Sequence, residues 1–300
     1  MIQWRPTRKV RLVVGFSPSS ASDFMAETIA PHLSKALGKP VEIERRLGDD
    51  GAVAAKLVAN SAPDGSTVFM ATLGTHAVAP YIPGLRHYDP IADFVPLSLI
   101  ARAPLILAVH PSLQASNVHE LIMLARSMPG QLGFATSAIG GAPHLAGELF
   151  QALAGVQLKH QRYEQTKQLF EDLTAGRVLM SFNNVMSMTA PIQDKKLRGL
   201  AVTGAARCAL LPDLPTMAEA GVPRYELTNW LGLVAPVNTP EGVAVAYQEG
   251  VRAALNDSGV KAIFMRHGIE PIGSSPSAFS ALLRSEKARL QPIVSKITNA

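Results

Sequence analysis

The sequence predicts an α/β protein built as two doubly wound lobes, joined by crossing strands, with a ligand cleft between them. Three observations lead there. The chain has 300 residues, enough for two cores of roughly 100–200 residues each. Short apolar runs alternate with amphipathic helical stretches in two successive series, which is the pattern of parallel βαβ units. No Gly-, Ser- or Pro-rich linker separates the series, so strands must pass from one lobe to the other. The boundaries that follow are 1–102 with 228–300 for the first lobe and 103–227 for the second.

The first series opens with Val10-Arg11-Leu12-Val13-Val14-Gly15-Phe16, a buried strand running into a polar turn. From Asp23 the spacing becomes helical, with Phe24, Ile29, Leu33 and Leu37 apolar and Gly38 placed to end the helix. Val41-Glu42-Ile43 reads as a second strand and Gly51 to Asn60 as a second helix. Pro63-Asp64-Gly65-Ser66 is a turn before a third strand, Val68-Phe69-Met70-Ala71. In the second series Leu105–Val109 is a strand, and Asn117 with Glu120 has the spacing of a capping box before a helix that stops at Pro129-Gly130. Gly133–Thr136 is a strand, and Pro143 opens a helix to Ala154. Leu179–Phe182 and Leu200–Thr203 are further strands. Leu231–Pro236 follows Trp230, and helices run from there to the end. The expected crossings are Leu97–Leu107 and Leu227–Val234.

Composition narrows the function. The chain is 47% hydrophobic and 17% charged, a balance that buries a core and argues against disorder. Its net charge of +5 lies in scattered groups such as Arg5–Arg11 and Lys195–Arg198, without the aromatic interleaving of a nucleic-acid surface. No nucleic-acid partner is expected. Cys208 is the sole cysteine, so no intrachain disulfide forms. The most apolar stretch, Leu97–Val109, is too short to cross a bilayer and is broken by Arg102 and Pro104.

Three loops at strand ends are suited to chemistry, because ligands of open α/β sheets sit beyond the carboxyl ends of the strands. Phe16-Ser17-Pro18-Ser19-Ser20-Ala21-Ser22-Asp23 brings four hydroxyls to a helix N-terminus, where free amides accept an anion or where the serines simply cap the helix. Thr136-Ser137-Ala138-Ile139-Gly140-Gly141-Ala142-Pro143-His144 offers small residues and another helix start. It lacks the dinucleotide fingerprint. Thr72-Leu73-Gly74-Thr75-His76 is the third. No catalytic residue is assigned. Gly15-Phe16-Ser17-Pro18-Ser19 approaches a hydrolase elbow, but Pro18 has no N–H to donate to an oxyanion. The histidines show no metal-ligand spacing and no P-loop is present, so neither metal nor cofactor is expected.

At these loops the chain resembles the Bug-type substrate-binding proteins of tripartite tricarboxylate transporters (TctC-like) over nearly its whole length. The resemblance is carried by Val10–Val14 with Phe16-Ser17-Pro18 and Asp23, by Ala62-Pro63-Asp64-Gly65, and by Tyr88-Asp89-Pro90 with Asp93-Phe94. Further matches are His110-Pro111-Ser112-Leu113, Met128-Pro129-Gly130, His144–Phe150, Leu200–Thr203, Leu211–Thr216, Ala218–Pro223 and Trp230 with Gly232. It implies a periplasmic binding protein fold and a periplasmic location, reached by a secretion signal that this sequence lacks. It also implies closure on a small carboxylate or related metabolite, with membrane transporter subunits as the expected partners of a monomer. A ligand sensor working on a sensor kinase, or a hydrolase using Ser17, are the alternative readings. Departures from the family pattern fall at Ser19-Ser20, where a Gly-Gly pair is usual, at Glu164-Gln165, which replace Lys-Gly, and at Asn183, which replaces Asp.

The roles follow from both lines of reasoning. Phe16, Ser17, Ser19, Ser20, Ser22 and Asp23 form the loop for the proximal carboxylate. Thr136, Ser137, Gly140 and His144 close on it from the second lobe. Thr72, Thr75, Tyr163 and Asn183 line the distal pocket.

Overall fold

The computed structural model describes residues 4–18, 20–78, 81 and 87–297. The chain divides into two compact units: one runs to Arg102 and adds Trp230–Met265 and the segment from Glu270, and the other comprises Ala103–Asn229 with Arg266–Ile269.

In the first unit β1 (Val10–Val14) lies between β2 (Val41–Arg45) and β3 (Thr67–Thr72), parallel to both. Every residue of β3 is buried, as expected for a central strand covered on both faces. Beyond it the sheet continues through β9 (Thr228–Pro236), antiparallel to β3, then β4 (Phe94–Val109) and β10 (Glu270–Pro271). α1 (Ala21–Leu37) begins two residues before the expected Asp23 because Ser20 is its N-cap. It ends at Gly38, whose φ of 71° is the left-handed value glycine tolerates, with its N–H bonded to Ser34 O. α1 packs on α8 (Glu241–Asn256) at Gly250, where a Cβ would stand 3.0 Å from Leu33.

In the second unit the latter half of β4 lies between β7 (Met180–Asn184) and β8 (Arg198–Val202), antiparallel to each. β5 (Gly133–Thr136) pairs in parallel with β6 (Lys159–Arg162), and the Ser181 hydroxyl ties β7 to β5 by donating to Ala135 O at 2.8 Å. The helices are α4 (Val118–Ser127), α5 (Ala142–Ala154), α6 (Thr166–Thr174) and α7 (Val185–Gln193). The core gathers Ile106, Ala135, Leu169, Val185, Met188 and Val202 around the buried Cys208. α5 lies so close to β5 that a Cβ at Gly147 would stand 2.2 Å from Phe134 Cε2.

Several expectations shift. The crossing strand near residue 100 is longer than Leu97–Leu107, and one unbroken β4 enters both units. Thr228, Asn229 and Arg266–Ile269 group with the second unit, not with a continuous 228–300 block. The turn at Gly268 explains the latter, since it lies against Val185 and Leu210. At α4 Asn117 Oδ1 accepts from Glu120 N–H, while Glu120 returns to the amide of Ser116, one residue before the cap.

Candidate functional site

In the first unit the parallel alignment of β2, β1 and β3 puts their carboxyl ends at one edge, where α1, α2 (Ala52–Ala59) and the short α3 (Leu73–Ala77) begin. The loop after β1 is drawn tight. Ser20 N–H donates to Ser17 O at 3.1 Å, and Ser20 Oγ accepts from Asp23 N–H at 3.3 Å while lying 3.2 Å from Ser22 Oγ. The amides of Ala21 and Ser22, the first two of α1, have no acceptor among the described residues, as the geometry of a helix start dictates. Ser19 lies outside the described residues.

Two glycines let this loop meet its neighbour. A Cβ on Gly15 would stand 2.7 Å from Gly51 Cα, and one on Gly51, whose φ is 93°, would touch the Phe16 ring and the Thr75 methyl group. Gly51 thus lies where the loops after β1, β2 and β3 meet. Asp23 is committed inward: its carboxylate takes Arg45 Nε at 2.6 Å, and the same guanidinium reaches Glu27. This pairing, led by the hydrogen bond to Asp23, raises the Arg45 pKa. Asp23 therefore pins α1 to β2 and holds the capped loop in place.

Thr72 and Thr75 are bonded to each other. They form a reciprocal capping box for α3: Thr72 Oγ1 accepts from Thr75 N–H at 3.2 Å, and Thr75 Oγ1 accepts from Thr72 N–H at 3.0 Å. Thr75 Oγ1 also lies 3.0 Å from His76 Nδ1. His76 is buried among Phe69, Tyr88, Phe94 and Trp230, and desolvation depresses its pKa to about 3.

In the second unit β5 delivers Thr136, wholly buried, to the loop before α5. Its hydroxyl donates to Ala138 O at 3.1 Å and lies 2.7 Å from His160 Nε2. Gly140 has a φ of 74° and donates its N–H to His144 Nδ1 at 2.9 Å. That amide is therefore engaged within the protein. Ser137 is half-buried, and its hydroxyl has no partner among the described residues. Asn183, buried at the end of β7, accepts from Asn184 N–H through Oδ1 at 2.9 Å, which leaves its two Nδ2 hydrogens to donate.

Tyr163 bonds Thr136 O through its backbone amide, at 2.8 Å. Its hydroxyl is directed elsewhere, donating to Asp172 at 2.9 Å. Burial and then this bond raise the Tyr163 pKa, while Arg177, first by hydrogen bonding, lowers that of Asp172. Tyr163 thus contributes structure to the loop and has no hydroxyl in reserve. His160 is the residue the sequence reading missed. It sits on a four-residue polar strand, Lys-His-Gln-Arg, which no periodicity marks.

The loops thus present neutral donors: the start of α1 and its serines in one unit, Ser137 and Asn183 in the other. Among the described residues no group of three or more His, Cys, Asp or Glu is placed to hold a metal ion. No described helix is long and apolar enough to cross a membrane.

Residues 25–299 match the profile of the tripartite tricarboxylate transporter family receptor, TctC. A solved R. palustris protein with adipate is 36% identical, with 98% of each chain covered and a TM-score of 0.89. MatC from Rhodopseudomonas palustris, solved with bound malate, is 29% identical over 96% of this chain and 99% of its own, with a TM-score of 0.88. The periplasmic binding protein BugD is 27% identical over 97% of this chain and 98% of its own, with a TM-score of 0.87. The fold is that of the two-lobed periplasmic binding proteins. The chain belongs to the tripartite tricarboxylate transporter receptor family.

Proposed function

We propose that the chain is an extracytoplasmic receptor that captures a small organic carboxylate and delivers it, as a monomer, to membrane transporter subunits. The observation that supports this most is the start of α1. Two amides with no acceptor among the described residues lie there beside the Ser20–Ser22 hydroxyls, on the positive end of a 17-residue helix. Such an end stabilises an anion without any cationic side chain. Ser17, on the same loop, adds a hydroxyl to this donor set. Ser137 and Asn183 supply the corresponding donors in the second unit, and the relatives solved with adipate and malate support a carboxylate as the ligand class.

Catalysis is not part of the reading. Pro18 denies Ser17 the following amide that an acyl-transfer site requires.

The test is a thermal-shift and calorimetric screen against aliphatic and aromatic mono-, di- and tricarboxylates, with amino acids as comparison. Ligand binding to the folded state raises the melting temperature by mass action. One selective acid is expected, and Ser20→Trp abolishes its binding. Losing the Ser20 cap costs only about 1 kcal/mol, so that variant stays folded. Unchanged affinity in Ser20→Trp removes the α1 loop from the site, and no shift with any acid refutes the carboxylate reading.

A further inference from the structure

Two imidazoles bracket the loop before α5. His144, in the first turn of that helix, and His160, on β6, stack face to face with centroids 3.9 Å apart and planes 16° from parallel. Phe134 packs against both, at 6.1 and 5.1 Å. Gly147 leaves the room that Phe134 fills.

Counting hydrogens assigns the rings. The Thr136 hydroxyl has one hydrogen, given to Ala138 O at 3.1 Å. With that hydrogen so placed, its oxygen accepts from His160 at 2.7 Å, and His160 carries its hydrogen on Nε2. Gly140 N–H donates to His144 Nδ1, so that nitrogen is bare and the His144 hydrogen also sits on Nε2, 3.5 Å from Glu148 Oε1. This hydrogen-bond assignment gives both rings the Nε2–H tautomer. Two neutral rings tolerate stacking at this distance, and two charged ones would repel. Burial first, and then the neighbouring His144 and Arg162, which disfavour a second positive charge beside them, depress the His160 pKa to about 3.

We propose that His144 and His160 are positioning residues, which hold the Thr136–Gly141 loop in its ligand-receiving shape before any ligand arrives. His160 orients the Thr136 hydroxyl. His144 locks the left-handed turn at Gly140 by taking its amide. Neither ring is needed as a direct ligand contact, so His144 and Gly140 act behind the loop that Ser137 presents. What the loop is for rests on the carboxylate-receptor reading; the state of the rings does not.

The first measurement is long-range proton–nitrogen correlation of both imidazoles in ligand-free, ¹⁵N-labelled protein at neutral pH, with hydrogen exchange of the Gly140 amide. Two Nε2–H tautomers and a protected Gly140 amide are expected. An Nδ1–H tautomer at His144, a charged ring, or a freely exchanging Gly140 amide overturns the inference. The second compares His144→Phe and His160→Phe, which keep the stack but delete the nitrogens, with His144→Asn and His160→Gln, which restore an acceptor and a donor at the matching positions. Each Phe variant should weaken the selected carboxylate by about tenfold, the scale of one lost hydrogen bond, and each amide variant should recover most of that. Wild-type affinity in both Phe variants, or no recovery in either amide variant, overturns the positioning role. If a Phe variant does not fold, the tautomer measurement and the amide variants decide. If wild type binds no carboxylate, the receptor reading fails while the ring measurements still judge the clamp.

Discussion

Acidification should weaken this fold well before its carboxylates protonate, because two imidazoles are held neutral. His76 and His160 are each depressed from 6.5 to about 3, chiefly by burial. In the unfolded chain both rings charge as pH drops through 6.5, whereas in the fold they stay neutral until about 3. Between those values the unfolded chain holds more protons, so their contribution is intact above pH 6.5 and drains as pH falls toward 3. At pH 5 the loss is about 2 kcal/mol for a ring fully shifted in this way. His76, wholly buried, should show all of it, and His160, partly exposed, somewhat less. Carboxylates whose pKa the fold lowers, such as Asp172 and Glu219, also lose stability with acid. They do so only near and below about pH 4.5, where the unfolded groups titrate. The interval from pH 7 to 5 therefore isolates the imidazoles. Urea unfolding at those two pH values should show a drop of about 3–4 kcal/mol for wild type and about 2 kcal/mol for His160→Gln. A probe in each unit, Trp230 fluorescence in the first and Tyr163 resonances in the second, separates the two contributions. Equal stability at pH 7 and 5, or His76 titrating near 6.5 in the folded protein, refutes the reasoning.

Gly147→Ala should destabilise the second unit by about 1–3 kcal/mol, since the added methyl must displace Phe134. Urea unfolding measures it, and a neutral effect would mean that α5 slides freely on β5. Tyr163→Phe should change carboxylate affinity less than threefold, because its hydroxyl is spent on Asp172. A tenfold loss by calorimetry would put that hydroxyl on the ligand. Raising sodium chloride from 50 to 500 mM should weaken binding less than threefold if the donors are neutral; a tenfold loss would reveal a cation at the ligand.

The core strands were legible because burial on both faces writes itself as an apolar run. Val10–Val14 and Val68–Ala71 needed only that rule, and Gly38 marked a helix end by its backbone freedom alone. β6 was invisible for the converse reason. Lys159–Arg162 is mostly exposed, and its strand character comes from pairing with β5, not from its own residues. α3 has five residues, less than the span over which helical periodicity becomes distinct. At the site, the sequence located polar groups at strand ends but not their occupancy. Thr72 and Thr75 could equally be donors or caps until their mutual bonds are seen. Tyr163 finds Asp172 nine residues on, and Thr136 finds His160 twenty-four residues on. Partners at such separations are set by tertiary packing, which local spacing does not encode.

The charges near the loops share one disposition. Asp23 is taken by Arg45 and Asp172 by Arg177, while burial foremost keeps the His160 ring beside Thr136 uncharged. Each pairing removes a full charge from the neighbourhood of a donor set and leaves amides, hydroxyls and a carboxamide. An arginine facing the ligand would draw any anion from a distance, because a unit charge acts over a Debye length of about 8–10 Å. Neutral donors act only at contact, each contributing about 0.5–1.5 kcal/mol when its geometry is met and little otherwise. Affinity then depends on how many donors the ligand satisfies at once. This makes fixed loops more valuable than charged ones: an ion pair at Asp23 and a stacked ring pair at His144 and His160 hold in place donors that are individually weak. On the proposed reading, selectivity among acids of equal charge follows from the same arrangement, since such acids differ in shape and in where their polar groups fall.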